Sequence, residues 1–290
     1  MKMMLLAVAA ALPLLGVGTL AQPELRIHRE SSSTVTLGFA DTGLPTVDLG
    51  TMSGAIRLTS EDRRDVRLTV FRRTDAERES DLPDADRGVR LDTAAHGATV
   101  SAVVHDREQV CGQSNNTPRD AWWDRPRYRV SVDLEAVVPN GSRIRLCTVN
   151  GGAVVASGRL GDFDVSNVNG RIEVSGVRGS GRAVTVNGPV AVTFAESPRD
   201  VSEFRSVNGN VVVTFPGDLA ADLRLKTFNG QLLTDFDVEP LPMETGAGQQ
   251  QKGRFVYRSK GMTAVRVGRG GPQLTFETLN GDVRILRSAR

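Results

Sequence analysis

Short runs of alternating apolar and polar residues fill the second half of the chain, and an Asn-Gly pair interrupts them at regular intervals. Alternation on both sides of a turn predicts β-strands, and a period near 20 residues with a constant corner predicts a stacked repeat. Successive pairs are 19, 18, 21, 21 and 51 residues apart. The six corner asparagines are Asn150, Asn169, Asn187, Asn208, Asn229 and Asn280.

Four positions of the repeat are apolar in nearly every copy. They lie four residues and one residue before the asparagine, and three and five residues after it, and Thr234 is the one polar residue among these 24 positions. We therefore expect all four positions to face a core. A second polar ladder is predicted two residues before the asparagine, where the side chains are Thr148, Asn167, Thr185, Ser206, Thr227 and Thr278.

The Asn-Gly corner is compatible with two architectures. Glycine reaches positive φ without a Cβ penalty, and asparagine visits the same region more readily than most residues. Between two strands this pair is typical of a tight hairpin, whereas regular recurrence favours a bend in a coil whose asparagines hydrogen-bond from turn to turn. We predict an all-β fold, a β-solenoid (β-helix) preceded by a short-stranded β segment or cap. A meander of independent hairpins is the alternative.

The same residues resemble a known bacterial family. The alternating segment 128–134, the segment 137–141 and the corner at 148–151 begin the match, which continues through every corner to residues 270–283. Over about residues 127–290 the chain is similar to the putative-adhesin family of β-strand-repeat proteins. A fainter match at residues 53–58 looks like an early turn of the same coil. The resemblance implies an exported, β-helical, envelope-associated protein, and it carries over no active site.

The N-terminus has the pattern of an export signal. Lys2 precedes an apolar run over residues 3–17, and small residues lead up to Ala21, which predicts cleavage before Gln22. The run is shorter than the roughly 20 residues that a membrane helix needs, and no later segment is a candidate for one. An uncleaved anchor is the alternative interpretation of residues 1–21.

The remaining chain divides into two parts on the same evidence. Residues 22–126 predict an N-terminal β segment, which is either an irregular start of the coil or a cap on its open end. Short strands are expected in it at residues 25–28, 34–39, 55–59, 66–72 and 98–104. Residues 127–290 hold the repeats, with a Pro- and Gly-bearing loop inserted at residues 237–253.

The loop at residues 107–126 carries the candidate chemistry of the first part. Cys111 within it and Cys147 in the first repeat are the only cysteines. In an exported protein they predict a disulfide, since two cysteines without nearby histidines do not complete a metal site. The Trp pair of this loop either stacks on a sugar ring or covers the end of the core. The possible binding residues are Trp122, Trp123, Arg125 and Arg127.

Charge and motifs narrow the functional classes. A formal net charge of +2 and only 5% aromatic residues do not favour a nucleic-acid partner. The sequence has no nucleophile elbow and no phosphate-binding loop, and its carboxylates fall at differing phases of the repeat, so we predict neither enzyme activity nor a cofactor or metal. His28, His96 and His105 lie outside the clear repeats and are expected at the surface.

These observations together predict a non-enzymatic β-solenoid of the cell envelope, located in the periplasm or at the cell surface. It would act as a binding or adhesion surface for an envelope component, a surface glycan or a protein. A self-associating structural polymer of the envelope is the alternative, because a solenoid offers strand edges for pairing. A polysaccharide-active enzyme is the third hypothesis, and it requires carboxylates that converge on one face.

Overall fold

A computed structural model describes residues 25–107, 109–112, 126–242, 249–251, 254–256 and 262–289, so the predicted export signal lies outside the described residues. The described chain is all-β with one short helix, α1 (Leu82–Gly88), after a 3-10 turn at Glu79–Asp81. The strands are β1 Ile27–Gly38, β2 Thr46–Ser53, β3 Ile56–Glu61, β4 Asp65–Ala76, β5 Val89–His96, β6 Thr99–Asp106, β7 Tyr128–Pro139, β8 Arg143–Asn150, β9 Val154–Ser157, β10 Phe163–Ser166, β11 Ile172–Val177, β12 Gly181–Val184, β13 Val190–Phe194, β14 Ser202–Asn208, β15 Val211–Phe215, β16 Ala221–Asn229, β17 Leu232–Thr234, β18 Val238–Pro240, β19 Gln249–Gln251, β20 Arg254–Val256, β21 Thr263–Val267, β22 Gln273–Asn280 and β23 Val283–Arg287.

Two large sheets contain all of these strands except the β19–β20 pair. Sheet A has the order β1-β4-β7-β3-β9-β11-β13-β15-β23-β17, and sheet B has the order β18-β21-β16-β22-β14-β12-β10-β8-β2-β6-β5. From β8 to β17 the chain alternates between sheet B and sheet A. Eight neighbouring strands of each sheet pair in parallel, from β7 to β17 in sheet A and from β6 to β16 in sheet B. We call these sixteen strands the parallel block.

The order of strands in space differs from their order in the chain at both ends of the block. The last turn, β22 and β23, is inserted between earlier turns, so that β16 and β17 lie outermost. At the other end β2 and β3 lie inside β6 and β7. Strands of the part before residue 127 therefore belong to the block. Antiparallel strands flank it, with β1, β4 and β5 forming an N-terminal cap and β21 and β18 continuing sheet B at the far end.

The core lies between the two sheets and is apolar along the whole block. Phenylalanine rings stack inside it, with centroids 4.8 Å apart for Phe194 and Phe215 and 5.1 Å apart for Phe204 and Phe276. Stacked rings on neighbouring strands bury a large apolar area in this core. The register Val190↔Val211 and Val211↔Val283 shows how equivalent aliphatic residues stack in the same way in sheet A.

The prediction that the residue before each asparagine faces the core is wrong. These residues lie on the outer face of sheet B; Val149 and Val168 are half-buried, and the other four are exposed, from 37% at Val207 to 77% at Phe228. Strand alternation explains the error. Residues two apart face the same side of a strand, so the positions four and two residues before the asparagine both face inward, and the position directly before it faces outward. We call the outward column the corner ridge: Val149, Val168, Val186, Val207, Leu279 and Phe228.

The inward position two residues before the asparagine is polar for a specific reason. Each side chain there donates a hydrogen bond to a glycine carbonyl of the adjacent turn, as from Thr185 Oγ1 to Gly170 O at 3.0 Å and from Thr148 Oγ1 to Gly54 O at 2.9 Å. Without such a donor, the carbonyl would be buried and unsatisfied. The predicted second ladder therefore runs between side chain and backbone rather than between side chains.

The corner glycines are required mainly by close approach. A Cβ at Gly209 would overlap the carbonyl oxygen of Gly188, and the same holds for Gly170 against Gly152. The first repeat is shifted by one residue, because Gly152 occupies the stacked position and Gly151 is an extra residue with φ 77°. This shift buries Val154 and Ala156 in place of the residues three and five positions after Asn150.

Two strands and the helix were not expected from the sequence. β2 was not predicted because Gly50 and Thr51 interrupt its apolar pattern, and β5 because it is an edge strand in which only Val89 is buried. The charged insert at residues 73–88 contains the end of β4 and the helix α1, where Pro83 stands in the first turn. Proline is well tolerated at that position of a helix.

Candidate functional site

An exposed aromatic residue lies at the centre of the outer face of the N-terminal cap. Phe71 is on β4, where Val66, Leu68 and Val70 alternate inward and send Phe71 outward with 41% of its surface exposed. Its cross-strand partners are Ser32 on β1 and Asp133 on β7. The Phe71 ring therefore lies among polar side chains on an open sheet face, where it is accessible to a ligand.

The antiparallel register around Phe71 arranges the neighbouring side chains in three rows. Glu30, Arg73 and Ser131 form the row on one side, and Thr34, Thr69 and Glu135 form the row on the other side. Arg57 on β3 extends the last row beside Glu135. We call this set the Phe71 patch: Phe71, Glu30, Ser32, Thr34, Arg57, Thr69, Arg73, Ser131, Asp133 and Glu135.

Ion pairs fix the charged members of the patch. Arg73 Nε donates to Glu30 Oε1 at 2.9 Å, and this hydrogen bond raises the pKa of Arg73. Arg57 Nη1 lies 3.4 Å from Glu135 Oε1. Asp133 accepts the backbone N–H of Ala55 at 2.7 Å, and its charge also contributes to raising the pKa of Arg73. With the guanidinium of the adjacent Arg72, three carboxylates face three guanidinium groups here, which leaves no net charge.

Most of the patch, together with Ser31 and Arg72, lines an open cleft of about 460 Å³. This volume lies within the range of small-ligand sites, which is roughly 300–1,000 Å³. Phe71 offers an apolar surface for stacking, and the surrounding hydroxyl, carboxylate and guanidinium groups offer donors and acceptors around it. A pyranose ring has the matching chemistry, with an apolar C–H face and polar groups at its periphery. The balanced charge of the cleft favours an uncharged sugar over a strongly charged one.

A second cleft lies on the outer face of sheet B, with a volume of about 340 Å³. Arg143 Nη2 donates to Asp162 Oδ2 at 2.8 Å within it. Burial alone would raise the pKa of Asp162, but the Ser180 N–H and the Arg143 guanidinium outweigh it and lower that pKa. Asp162 is thus held ionised, unlike the protonated acid that glycoside hydrolysis requires.

Carboxylates on this face share a phase of the repeat, contrary to the expectation that none forms a column. Cross-strand register places Asp48, Arg145, Asp164, Arg182 and Glu203 in one row of alternating charge. Burial raises the pKa of Asp48, with Arg145 opposing the shift. Arginine stands between each pair of acids, so the row forms an alternating ion ladder.

The structure brings all six corner asparagines into one ladder. In the spatial order 150, 169, 187, 208, 280, 229, each Nδ2 from Asn169 onward donates to the Oδ1 of the preceding asparagine at 2.7–2.9 Å. Asn280 thus lies between Asn208 and Asn229, although it is last in the chain. The ladder satisfies side-chain polar groups along an exposed corner and does not itself form a pocket.

The predicted disulfide between Cys111 and Cys147 is confirmed, with a Cα–Cα distance of 5.7 Å. It holds the start of the loop against the outer face of β8. Trp122, Trp123 and Arg125 lie outside the described residues, so their predicted binding role stays a prediction. Arg127 is exposed, and its carbonyl accepts the Glu77 N–H at 2.9 Å just before β7 begins.

Two of the surface histidines have acidic partners. His28 Nδ1 lies 2.7 Å from Asp75 Oδ1 beside the Phe71 patch, and His105 Nε2 lies 3.1 Å from Asp92 Oδ2. The described residues contain no cluster of three or more His, Cys, Asp or Glu side chains placed to hold a metal ion. Within the same residues, no helix is both long and apolar enough to cross a membrane.

No protein-family model matches the sequence, and no curated protein matches it. Solved structures similar in shape include a putative cell adhesion protein from Clostridium sporogenes, at 6% identity and a TM-score of 0.42, covering 90% of this chain and 100% of that one. A putative adhesin from Bacteroides fragilis is 10% identical with a TM-score of 0.36, covering 89% and 97%. A putative lipid binding protein from Parabacteroides distasonis is 9% identical with a TM-score of 0.29, covering 90% and 97%. At such values these names say nothing of what this chain binds.

Proposed function

We propose that this chain is an exported, non-enzymatic binding protein of the bacterial cell envelope, and that the Phe71 patch is its ligand site. The observation that carries the proposal is the exposed Phe71 ring at the centre of three rows of polar side chains. A central aromatic anchor with a polar rim is the arrangement from which binding sites draw most of their affinity. The ligand class that fits is a neutral glycan of an envelope or cell surface.

Export is supported by two features of the chain. Residues 1–21 have the charge and apolar pattern of a cleaved signal. The disulfide between Cys111 and Cys147 fits an oxidising compartment. Periplasm and cell surface both satisfy these conditions, and we propose one or the other as the location.

The rest of the proposal concerns the scaffold, which we infer to be a β-solenoid. Its support is the in-register parallel pairing, the alternation of the chain between two sheets and the continuous asparagine ladder. Each Asn-Gly corner then joins a strand of sheet B to the following strand of sheet A within one coil. A solenoid of this kind is rigid, and a rigid support reduces the entropy that the patch loses on binding.

Co-sedimentation with envelope fractions tests the proposal. Wild-type protein is expected to pellet only in the presence of envelope and to saturate, and Phe71→Ala is expected to weaken this binding at least about tenfold through loss of the stacking surface. Competition with a neutral, an amino-bearing and an anionic oligosaccharide would rank the ligand classes. Pelleting of the protein alone would favour the structural polymer. Unchanged binding by Phe71→Ala would contradict the assignment of the site.

Hydrolysis assays separate the proposal from the enzyme hypothesis. The protein is incubated with envelope polysaccharide, and the release of reducing ends is followed. We expect none above the level of an Asp48→Asn/Asp164→Asn double variant. Release that this double variant abolishes would show that the charge row of sheet B is catalytic.

A further inference from the structure

β1 is an open edge of sheet A. β4 pairs with it along twelve residues in a register without a bulge, from Ile27↔Ala76 to Gly38↔Asp65. No strand among the described residues pairs with its other side. Alternate N–H and C=O groups of an edge strand point away from the sheet, and they form a template for another strand.

The other edges of the two sheets are protected in ways that β1 is not. β17 and β18 are three residues long, and β18 ends in Pro240, which has no N–H to donate. β5 carries Arg90 and Asp92. β1 contains neither lysine nor proline, and residues 31–38 carry no charge. β1 is the longest edge strand of the two sheets, and its uncharged segment at residues 31–38 is longer than any on the other edges, which indicates a strand partner.

The charges of β1 are already neutralised within the chain. His28 pairs with Asp75, Arg29 with Asp86, and Glu30 with Arg73. They therefore do not guard the edge by repulsion. The centre of the strand consists of Ser31, Ser32, Ser33 and Thr34, which are exposed on both faces.

We infer that β1 pairs antiparallel with β1 of a second copy, about a two-fold axis perpendicular to sheet A near Ser32 or Ser33. With the axis at Ser32, Glu30 lies opposite Thr34 and Arg29 opposite Val35. With the axis at Ser33, Glu30 lies opposite Thr36 and Arg29 opposite Leu37. Like charges are not opposed in either register. In-register parallel pairing would place Glu30 beside Glu30, which is unfavourable.

The symmetry of this contact makes a closed dimer. A two-fold interface uses the same edge on both copies, so both β1 edges are paired in the dimer and no further copy can add to them. This outcome differs from an open polymer, which would require a second long edge. The buried surface of a single strand pair is at the low end for protein interfaces, so we expect a dissociation constant on the order of micromolar.

The dimer would join two ligand sites. Both Phe71 patches lie on the same face of the continuous sheet, with three strand spacings between the two rings. That corresponds to about 14 Å at the usual spacing of roughly 4.8 Å. The two sites could then engage neighbouring units of one polymer, which raises avidity without new contacts. The pairing itself does not depend on what the patch binds.

Sedimentation velocity over about 1–200 µM full chain, purified after export so that its disulfide forms, tests the inference. Wild type is expected to shift from monomer to dimer within the range that brackets a micromolar dissociation constant. Ser33→Lys and Ser33→Asp each place like charges directly opposite each other if the axis lies at Ser33, and diagonally across the axis if it lies at Ser32. Each is expected to weaken the dimer at least about tenfold. An equimolar mixture of the two variants is expected to restore it, because unlike charges then meet. Ser33 points away from the Phe71 patch, so ligand binding by the monomer is a separate readout.

The matched control is Thr93→Lys, on the edge strand β5 at the same end of the molecule. It is expected to leave dimerisation unchanged. A wild-type chain that stays monomeric throughout the range would overturn the inference. So would a Ser33→Lys variant that dimerises like wild type, or a mixture of the lysine and aspartate variants that does not recover.

Hydrogen exchange gives a second test that needs no substitution. Outward amides of β1 are expected to gain protection as protein concentration rises, whereas those of β5 are not. Concentration-dependent protection confined to β5, or to neither strand, would also overturn the pairing.

Discussion

The parallel block and the N-terminal cap are built from the same alternating strands, but they constrain their side chains differently. In the block each residue stacks on its equivalents above and below, so a glycine such as Gly209 or a hydroxyl such as Thr185 is fixed by the neighbouring turns. In the cap the strands are antiparallel and their outer residues meet unlike partners, as Phe71 meets Ser32 and Asp133. A residue of the block must therefore fit its stacked equivalents, whereas an outer residue of the cap has no such equivalent beside it.

The largest effect is expected from a charge in the core of the block. Val190 is fully buried, so Val190→Asp would leave an unpaired carboxylate in an apolar interior and destabilise the fold by about 4–5 kcal/mol or more. Glu173→Arg, at an exposed outward position of the neighbouring strand, is the control and should change stability by less than about 0.5 kcal/mol. Urea unfolding measures both variants. Equal losses would contradict the assignment of inner and outer faces.

Removing the link between the cap-side loop and the block is expected to have the next largest effect. Cys111 and Cys147 are 36 residues apart, and opening that loop in the Cys111→Ser/Cys147→Ser variant would cost about 4 kcal/mol in the chain-entropy model. Denaturant midpoints for the variant and for oxidised and reduced wild type would measure the loss. Reduced wild type should match the variant. If the denaturant midpoint of oxidised wild type is no higher than that of reduced wild type, a stabilising role for the disulfide is contradicted.

A single methyl group distinguishes the stacked glycines of the block from a glycine of the cap. Gly209→Ala would press its Cβ into the carbonyl oxygen of Gly188 and should cost about 2–3 kcal/mol through local displacement of the turns. Gly38→Ala, at the end of β1, has open space around the added group and should be nearly neutral. Thermal unfolding of the two variants compares them. A Gly209→Ala variant as stable as wild type would mean that the turns are not in close contact.

The smallest effect is expected from an ion pair at the far end of sheet B, and this effect depends on pH. Two hydrogen bonds from Arg266 lower the pKa of Asp222. The ionised carboxylate therefore stabilises the fold above the ordinary carboxyl pKa, and this stabilisation is lost as the pH falls through the pKa of Asp222 in the folded state. Asp222→Asn should therefore reduce stability at pH 7 and make little difference near pH 2. Asp237→Asn, on an exposed carboxylate, is the control. The comparison fails if Asp222→Asn alters unfolding equally at both pH values.

The repeat was predictable from the sequence because its determinants are local. The period of the Asn-Gly corners and the alternation around them gave the strands of the block, and asparagine at a corner indicated a ladder. The sequence did not predict that Val186 and its equivalents face outward, because an apolar residue at a repeat position cannot be distinguished by type from a core residue. Only the alternation from Ala183 through Thr185 could have shown that Val186 points outward.

The site and the strand order depend on contacts that are distant in sequence. Phe71 lies on an expected strand, and its alternation against Val66, Leu68 and Val70 signals an outward aromatic. Its polar neighbours, however, come from β1 and β7, whose pairing with β4 no local pattern determines. The insertion of β22 between β14 and β16 is likewise a long-range choice. A 51-residue gap before Asn280 indicates an excursion but not where the chain returns.

The central claim is that the cap binds the ligand and the block supports it. Two exposed phenylalanines test this claim most directly. Phe71 lies in the cap, and Phe228, which is 77% exposed, lies on the corner ridge of the block. Envelope binding and urea unfolding would be measured for Phe71→Ala and Phe228→Ala side by side. We predict that Phe71→Ala loses at least about tenfold in binding with unchanged unfolding, because the ring serves the ligand, and that Phe228→Ala retains both. Lost binding in Phe228→Ala with normal binding in Phe71→Ala would contradict the account and place the site on the ridge.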